Sequence, residues 1–178
     1  MNFLDILVNS YIAHIRGPHL TEFMSALSAF FDVSVLSVLV TLLITFLVKI
    51  IRGKKYAGLF LGSICASALL AYLLKLFFNV SRPTDAVMQA FGPSFPSYHA
   101  MVATVFFIML IYIFDDYLRG VWRILFNTVC VFLIFLVAFS RVYLGVHWLS
   151  DVSAGILIGS VFSYLAIVIF RKIERRMV

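Results

Sequence analysis

Five apolar runs, each bounded by charged or turn-forming residues, dominate this chain: Val33 to Ile50, Tyr56 to Phe78, His99 to Phe114, Val121 to Phe139 and His147 to Phe170. A helix needs about 20 largely apolar residues to cross a bilayer. The runs come close to that length, although the third is short and must borrow neighbours. With 63% hydrophobic residues, 12% charged residues and a mean hydropathy of +1.09, a water-soluble globule is excluded. Only four prolines and no Ser- or Gly-rich linker interrupt the 178 residues. The reading is therefore one membrane-embedded domain over residues 1–178, with all-α architecture. It is a helical bundle of about five transmembrane helices, with six as the alternative, plus an N-terminal interfacial amphipathic helix.

Charge sets the orientation. Of 14 Lys and Arg, ten fall in three places: Lys49, Arg52, Lys54 and Lys55 between the first two runs, Arg119 and Arg123 between the third and fourth, and Arg171, Lys172, Arg175 and Arg176 after the fifth. By the positive-inside rule these segments are cytoplasmic. The C-terminus is then inside, and the segments around residues 79–98 and 140–146 lie on the outer face. Arg16, Lys75, Arg82 and Arg141 remain on that outer side. The net charge of +6 is thus accounted for by topology and by the outer cluster, and nothing points to nucleic acid, a nucleotide or an organic cofactor. Cys65 and Cys130 sit inside apolar runs without metal-ligand spacing.

The N-terminal segment reads differently. Asp5, Asn9 and Arg16 share one helical face of residues 2–16, opposite Phe3, Leu4, Leu7, Tyr11 and Ile15, a pattern suited to a helix lying in the membrane interface. It lacks the basic start and small-residue cleavage site of a signal peptide and is expected to be retained. Gly17-Pro18 breaks the chain before a second short helix, His19 to Phe31. Five spans with an outer N-terminus is the favoured arrangement. Small residues recur every four positions at Gly58, Gly62 and Ala66 and again at Asp151, Gly155, Gly159 and Ser163. At that spacing transmembrane backbones approach closely.

Three outer-side clusters are not explained by packing, because a charge within the membrane is costly and usually has a partner and a function. The first is Lys75 with Arg82-Pro83. The second is Pro96-Ser97-Tyr98-His99, where Ser97 is a suitable N-cap and the helix start a natural phosphate cradle. The third is Ser140-Arg141 followed by His147 and Asp151, whose i, i+4 spacing on one helix face lets the carboxylate hold one imidazole nitrogen and leave the other free to attack. Three cations suit a phosphate, and two histidines can divide the roles of nucleophile and acid. That inventory suffices for phosphoryl transfer without a metal, and three nearby positive charges would repel one.

In order and internal spacing, Lys75–Pro83, Pro96–His99 and Ser140–Asp151 resemble the three signature motifs of the type 2 phosphatidic acid phosphatase superfamily, which includes lipid phosphate phosphatases, bacterial phosphatidylglycerophosphate and undecaprenyl-pyrophosphate phosphatases, and soluble vanadium haloperoxidases. The match spans the motif core, residues 75–151. The resemblance implies a helical bundle with an outward-facing site and a covalent phosphohistidine. It makes His147 the nucleophile, oriented by Asp151, and His99 the acid that protonates the leaving oxygen. Lys75, Arg82, Ser97 and Arg141 would bind phosphate, with Pro83, Pro96 and Ser140 in support. Tyr98 stands where the family usually has Gly, so its ring would narrow the pocket or its hydroxyl would join the phosphate contacts.

The function these residues imply is an integral phosphatase of the bacterial cytoplasmic (inner) membrane. It would act without a cofactor on a lipid phosphate or diphosphate at the extracytoplasmic face. The same motifs would also serve a lipid phosphotransferase, and a non-catalytic protein that binds or transports lipid phosphates would need the cations but not both histidines.

Overall fold

The computed structural model describes residues 2–32 and 34–176. Val33, the first residue of the first apolar run, and the chain ends Met1, Met177 and Val178 lie outside the described residues. Among the described residues seven helices follow one another: α1 (Phe3–Ile15), α2 (Pro18–Ala29), α3 (Val35–Arg52), α4 (Lys54–Phe78), α5 (Tyr98–Phe114), α6 (Gly120–Tyr143) and α7 (Leu149–Arg176). The protein is an all-α integral membrane bundle. Helices α3, α4, α6 and α7 are long and apolar enough to cross a membrane.

Helix α5 has 17 residues and extends about 26 Å. It compensates for its length by its position, packed against α4, α6 and α7 at the centre of the bundle. Twelve of its 17 residues are buried and none is exposed, so its polar start meets protein groups and not lipid. Its Val105, Met109 and Ile113 form the main core together with Phe60 of α4 and Val137 of α6.

One expected packing stripe is borne out and the other is not. On α7, a Cβ at Gly155 would lie 2.9 Å from the Ser97 carbonyl oxygen, and one at Gly159 would lie 2.8 Å from that of Met101. The α5 backbone therefore rides directly on these glycines. On α4, a Cβ at Gly58 or Gly62 would meet nothing within 4 Å. Its buried face is instead Ala57, Phe60, Ser63, Ile64, Ser67 and Ala71, one step round the helix, which turns Gly58, Gly62 and Ala66 outward.

Helix α1 also departs from a simple interfacial helix. Its apolar residues Phe3, Leu4, Leu7, Tyr11 and Ile15 are exposed, as expected, but its polar face is turned into the protein. Buried Asp5 accepts hydrogen bonds from Ser150 N and Oγ, both 2.9 Å. Asn9 Nδ2 donates to Asp85 at 2.6 Å, and Arg16 bonds the carbonyls of Tyr143 and Asp85 at 2.8 and 2.7 Å. These polar groups find hydrogen-bond partners in the start of α7, the end of α6 and the α4–α5 loop, as groups turned away from water require. At the opposite end of the bundle, Arg52 pairs with Asp116 at 2.6 Å, and Arg123 grips both oxygens of Asp115 at 2.7 and 2.6 Å.

Candidate active site

The three clusters converge at the α1–α2 end of the bundle. Helix α6 runs further than the apolar pattern suggests, so Ser140 and Arg141 lie in its last turn and not in a loop. It ends at Tyr143 with Leu144 as its C-cap, and Gly145 follows with φ +68°. A Cβ there would sit 2.5 Å from Arg16 Nη2 and 3.1 Å from the Asp85 carbonyl oxygen. The left-handed backbone favours glycine here, and the Asp85 carbonyl leaves little room for a side chain. The turn delivers His147, 2% exposed, in front of α7.

His147 and Asp151 meet, but not as two residues on one helix face. Helix α7 begins at Leu149. Asp151 lies in its first turn and accepts the Trp148 N–H at 2.9 Å, the reciprocal half of a capping box. The same oxygen, Oδ2, lies 3.4 Å from His147 Nδ1. On the other side of the ring, Arg82 Nη1 lies 3.3 Å from Nε2. A guanidinium only donates, so Nε2 carries the lone pair and Nδ1 carries the proton facing Asp151. This is the tautomer a nucleophilic imidazole needs.

The cations gather around that ring, and Arg141, Lys75, Arg82 and His99 all lie close enough for their charges to bear on His147. Lys75 Nζ donates to the carbonyls of Pro93 and Ser94 at 2.7 and 3.0 Å. Arg82 reaches the carbonyls of Val146 at 2.7 Å, Gly92 at 2.9 Å and Phe91 at 3.0 Å. Burial lowers the Arg82 pKa, and Asp151 opposes the shift. Arg141, 3% exposed, donates to Ser28 Oγ, while its Nε is buried without a partner. Ser97 occupies the N-cap position of α5, but its hydroxyl does not cap the helix. Its N–H is tied to the Asp151 carbonyl at 3.1 Å, which fixes the residue from the α7 side and leaves buried Oγ unpartnered. Together with the free first-turn N–H groups of α5, these are unspent donors of the kind a phosphate requires. Pro83 and Pro96 are buried in the α4–α5 loop, and Ser140 Oγ bonds back to the Val137 carbonyl at 2.6 Å.

Comparison with known proteins gives the family. Residues 56–175 match the family model of the PAP2 superfamily. The chain belongs to that superfamily. Over 117 residues, 60% of this chain, it is 33% identical to a lipid A 1-phosphatase of Rhizobium johnstonii and 32% identical to one of Rhizobium etli. It spans less than half the length of either, 44% and 47%. Among solved structures, a transmembrane PAP2-type phosphatidylglycerolphosphate phosphatase from Bacillus subtilis superposes with a TM-score of 0.86 at 27% identity, over 95% of this chain and 85% of that one. Aquifex aeolicus LpxE superposes with a TM-score of 0.74 at 23% identity, over 94% and 99% of the two chains, and shares the fold. The resemblance drawn from the three motifs is thus borne out.

Beyond the PAP2 motifs, three residues that sequence reasoning did not single out touch them. Fully buried Ser94 donates its hydroxyl to Asp151 Oδ2 and lies 3.3 Å from His147 Nδ1. Ser28, at the end of α2, holds Arg141. Asp32, one turn later, lies with Oδ1 2.6 Å from His99 Nε2. The hydrogen bond to His99 holds the Asp32 carboxyl below the ordinary carboxylate range, against the opposing effect of burial. Only Asp32 carried a signal in the chain, as a carboxylate at the head of an apolar run. Tyr98 is half-buried with its ring edge-on to His99 at 5.8 Å. With Leu27, Ile44, Ile64, Val102 and Phe106 it lines an apolar cavity of about 620 Å³ between α2, α3, α4 and α5.

Proposed function

We propose that this PAP2 protein is a lipid phosphatase that removes a phosphate from a lipid phosphomonoester or diphosphate at the extracytoplasmic face of the membrane through a phosphohistidine. The observation that carries the reading is His147, with Nδ1–H directed at Asp151 and the Nε2 lone pair beside Arg82. Nε2 attacks phosphorus, the bond to the lipid oxygen breaks, and that oxygen takes a proton from His99. Asp151 stabilises the positive charge that grows on His147. Lys75, Arg82 and Arg141 exchange their present contacts for phosphate oxygens and spread the charge of the transition state. Water then attacks phosphorus, giving its proton to His99, and the P–N bond returns its electrons to His147.

The named relatives act on lipid A and on phosphatidylglycerolphosphate, which supports an anionic lipid head group as the substrate class. The apolar cavity beside Tyr98 offers a lipid tail surroundings it can enter from the side of the bundle. On this reading Tyr98 serves the lipid portion of the substrate, and its ring takes the place of a direct phosphate contact.

The test is phosphate release by the detergent-purified protein from a panel of lipid phosphates and diphosphates, with chelator present. Wild type is expected to turn over, with His147→Ala reduced at least about 10³-fold. Unchanged release by His147→Ala, or loss of wild-type release to the chelator, would overturn the mechanism. A phosphorylated acceptor lipid in place of free phosphate would instead identify a phosphotransferase.

A further inference from the structure

The site contains a second imidazole–carboxylate pair, and we infer that Asp32 is the positioning residue for the proton transfers of His99. The inference rests on the phosphohistidine reading above and adds to it a residue from outside the three motifs. Asp32 Oδ1 lies 2.6 Å from His99 Nε2, while His99 Nδ1 makes no hydrogen bond among the described residues. The two pairs are complementary. His147 is held at Nδ1 by Asp151 and has Nε2 beside Arg82; His99 is held at Nε2 by Asp32, which leaves Nδ1 as the nitrogen available for proton transfer.

Asp32 is itself fixed. Its carbonyl oxygen accepts from Ser34 N at 2.8 Å and from Ser37 Oγ at 2.5 Å, and these two serines form the capping box of α3. The preceding residue, Phe31, packs on Phe106 and Phe107 of α5 at 6.0 and 5.9 Å between ring centroids. The carboxylate is thereby anchored both to α3 and to the helix that carries His99. In the first step it holds the Nε2–H and stabilises the imidazolium whose Nδ1 proton passes to the departing lipid oxygen as the P–O bond breaks. In the second step it holds the same tautomer while Nδ1 takes a proton from water. An anion at this point also bears on Arg141, as its effect on that side chain indicates, so a test must separate help to the leaving group from help to phosphate binding.

Leaving-group chemistry separates them. An alkyl lipid oxygen needs a proton as it departs, whereas a nitrophenolate leaves without one, and kcat/KM reports only the steps through formation of the phosphohistidine. For Asp32→Asn, kcat/KM on an alkyl lipid phosphate is expected to fall about 100-fold and that on a nitrophenyl phosphate ester less than about 3-fold. Asp32→Glu, which keeps the charge, is expected to recover part of the alkyl rate. Equal losses on both esters would assign Asp32 to Arg141 or to structure, and no loss on either would remove it from the reaction; both overturn the inference. The nitrophenyl rate doubles as a fold control. If Asp32→Asn does not elute as a single species, the ratio of the same two rates in Asp32→Glu decides: a ratio shifted against the alkyl ester supports the inference and an unchanged ratio overturns it. Full turnover of both esters by His147→Ala would show instead that the phosphohistidine reading itself had failed.

Discussion

Ser94 shows how much a single side chain outside the motifs contributes to the site. Its hydroxyl bonds the Asp151 oxygen that also faces His147 Nδ1 and the Trp148 N–H. Ser94→Ala leaves that buried carboxylate one donor short, and a lost bond to a charged group costs about 1.5–3 kcal/mol. The expected outcome is a lower thermal midpoint in detergent together with a kcat reduced about 10-fold and KM little changed, since the cations proposed to bind phosphate are untouched. Asp32 supplies a pH dependence. Its folded-state pKa is depressed by the His99 hydrogen bond, so its contribution to stability is fully present above the unfolded value of about 4 and is lost as pH falls through the folded value. Thermal midpoints of wild type and Asp32→Asn should therefore differ most above about pH 4 and converge below it.

Among the elements, α5 and α7 form the contact on which the site depends. Gly155 faces the carbonyl of Ser97 and Gly159 that of Met101. A side chain at either position must push α5 away. Gly155→Val and Gly159→Leu are each expected to cost about 1–3 kcal/mol or more. Gly155→Val should reduce phosphate release more steeply, because it displaces Ser97 and the start of α5. Gly58→Ala and Gly62→Ala on α4, where a Cβ meets nothing, should leave activity unchanged and the thermal midpoint no lower, since alanine is the better helix former. Thermal scans and phosphate release on the four variants check this. The stripes look alike in sequence, since both repeat every four residues. What tells them apart is the rotation of each helix about its axis, set by which bulky neighbours fill the bundle centre.

For the whole molecule, the charge distribution carries the proposed orientation, with the site on the outer face. In a Cys65→Ala/Cys130→Ala background, Gln89→Cys in the α4–α5 loop should react with an impermeant thiol reagent on intact cells, and Tyr117→Cys before α6 only after permeabilisation. The reverse pattern would place the site on the cytoplasmic side. Much of the protein was legible without its structure. The all-α membrane bundle, the apolar runs and the motif residues Lys75, Arg82, Ser97, His99, Arg141, His147 and Asp151 all follow from residue chemistry and local spacing, because the bilayer penalises each polar group individually and so exposes it as an exception. Three-dimensional packing alone decided the rest: that α1 turns its polar face onto α7, that α5 lies at the centre, that Ser97 leaves its hydroxyl free, and that Ser28, Asp32 and Ser94 join the site. Those contacts link residues far apart in the chain, up to 145 positions for Asp5 and Ser150. No local periodicity encodes them; they depend on how complete helices are rotated and stacked against one another.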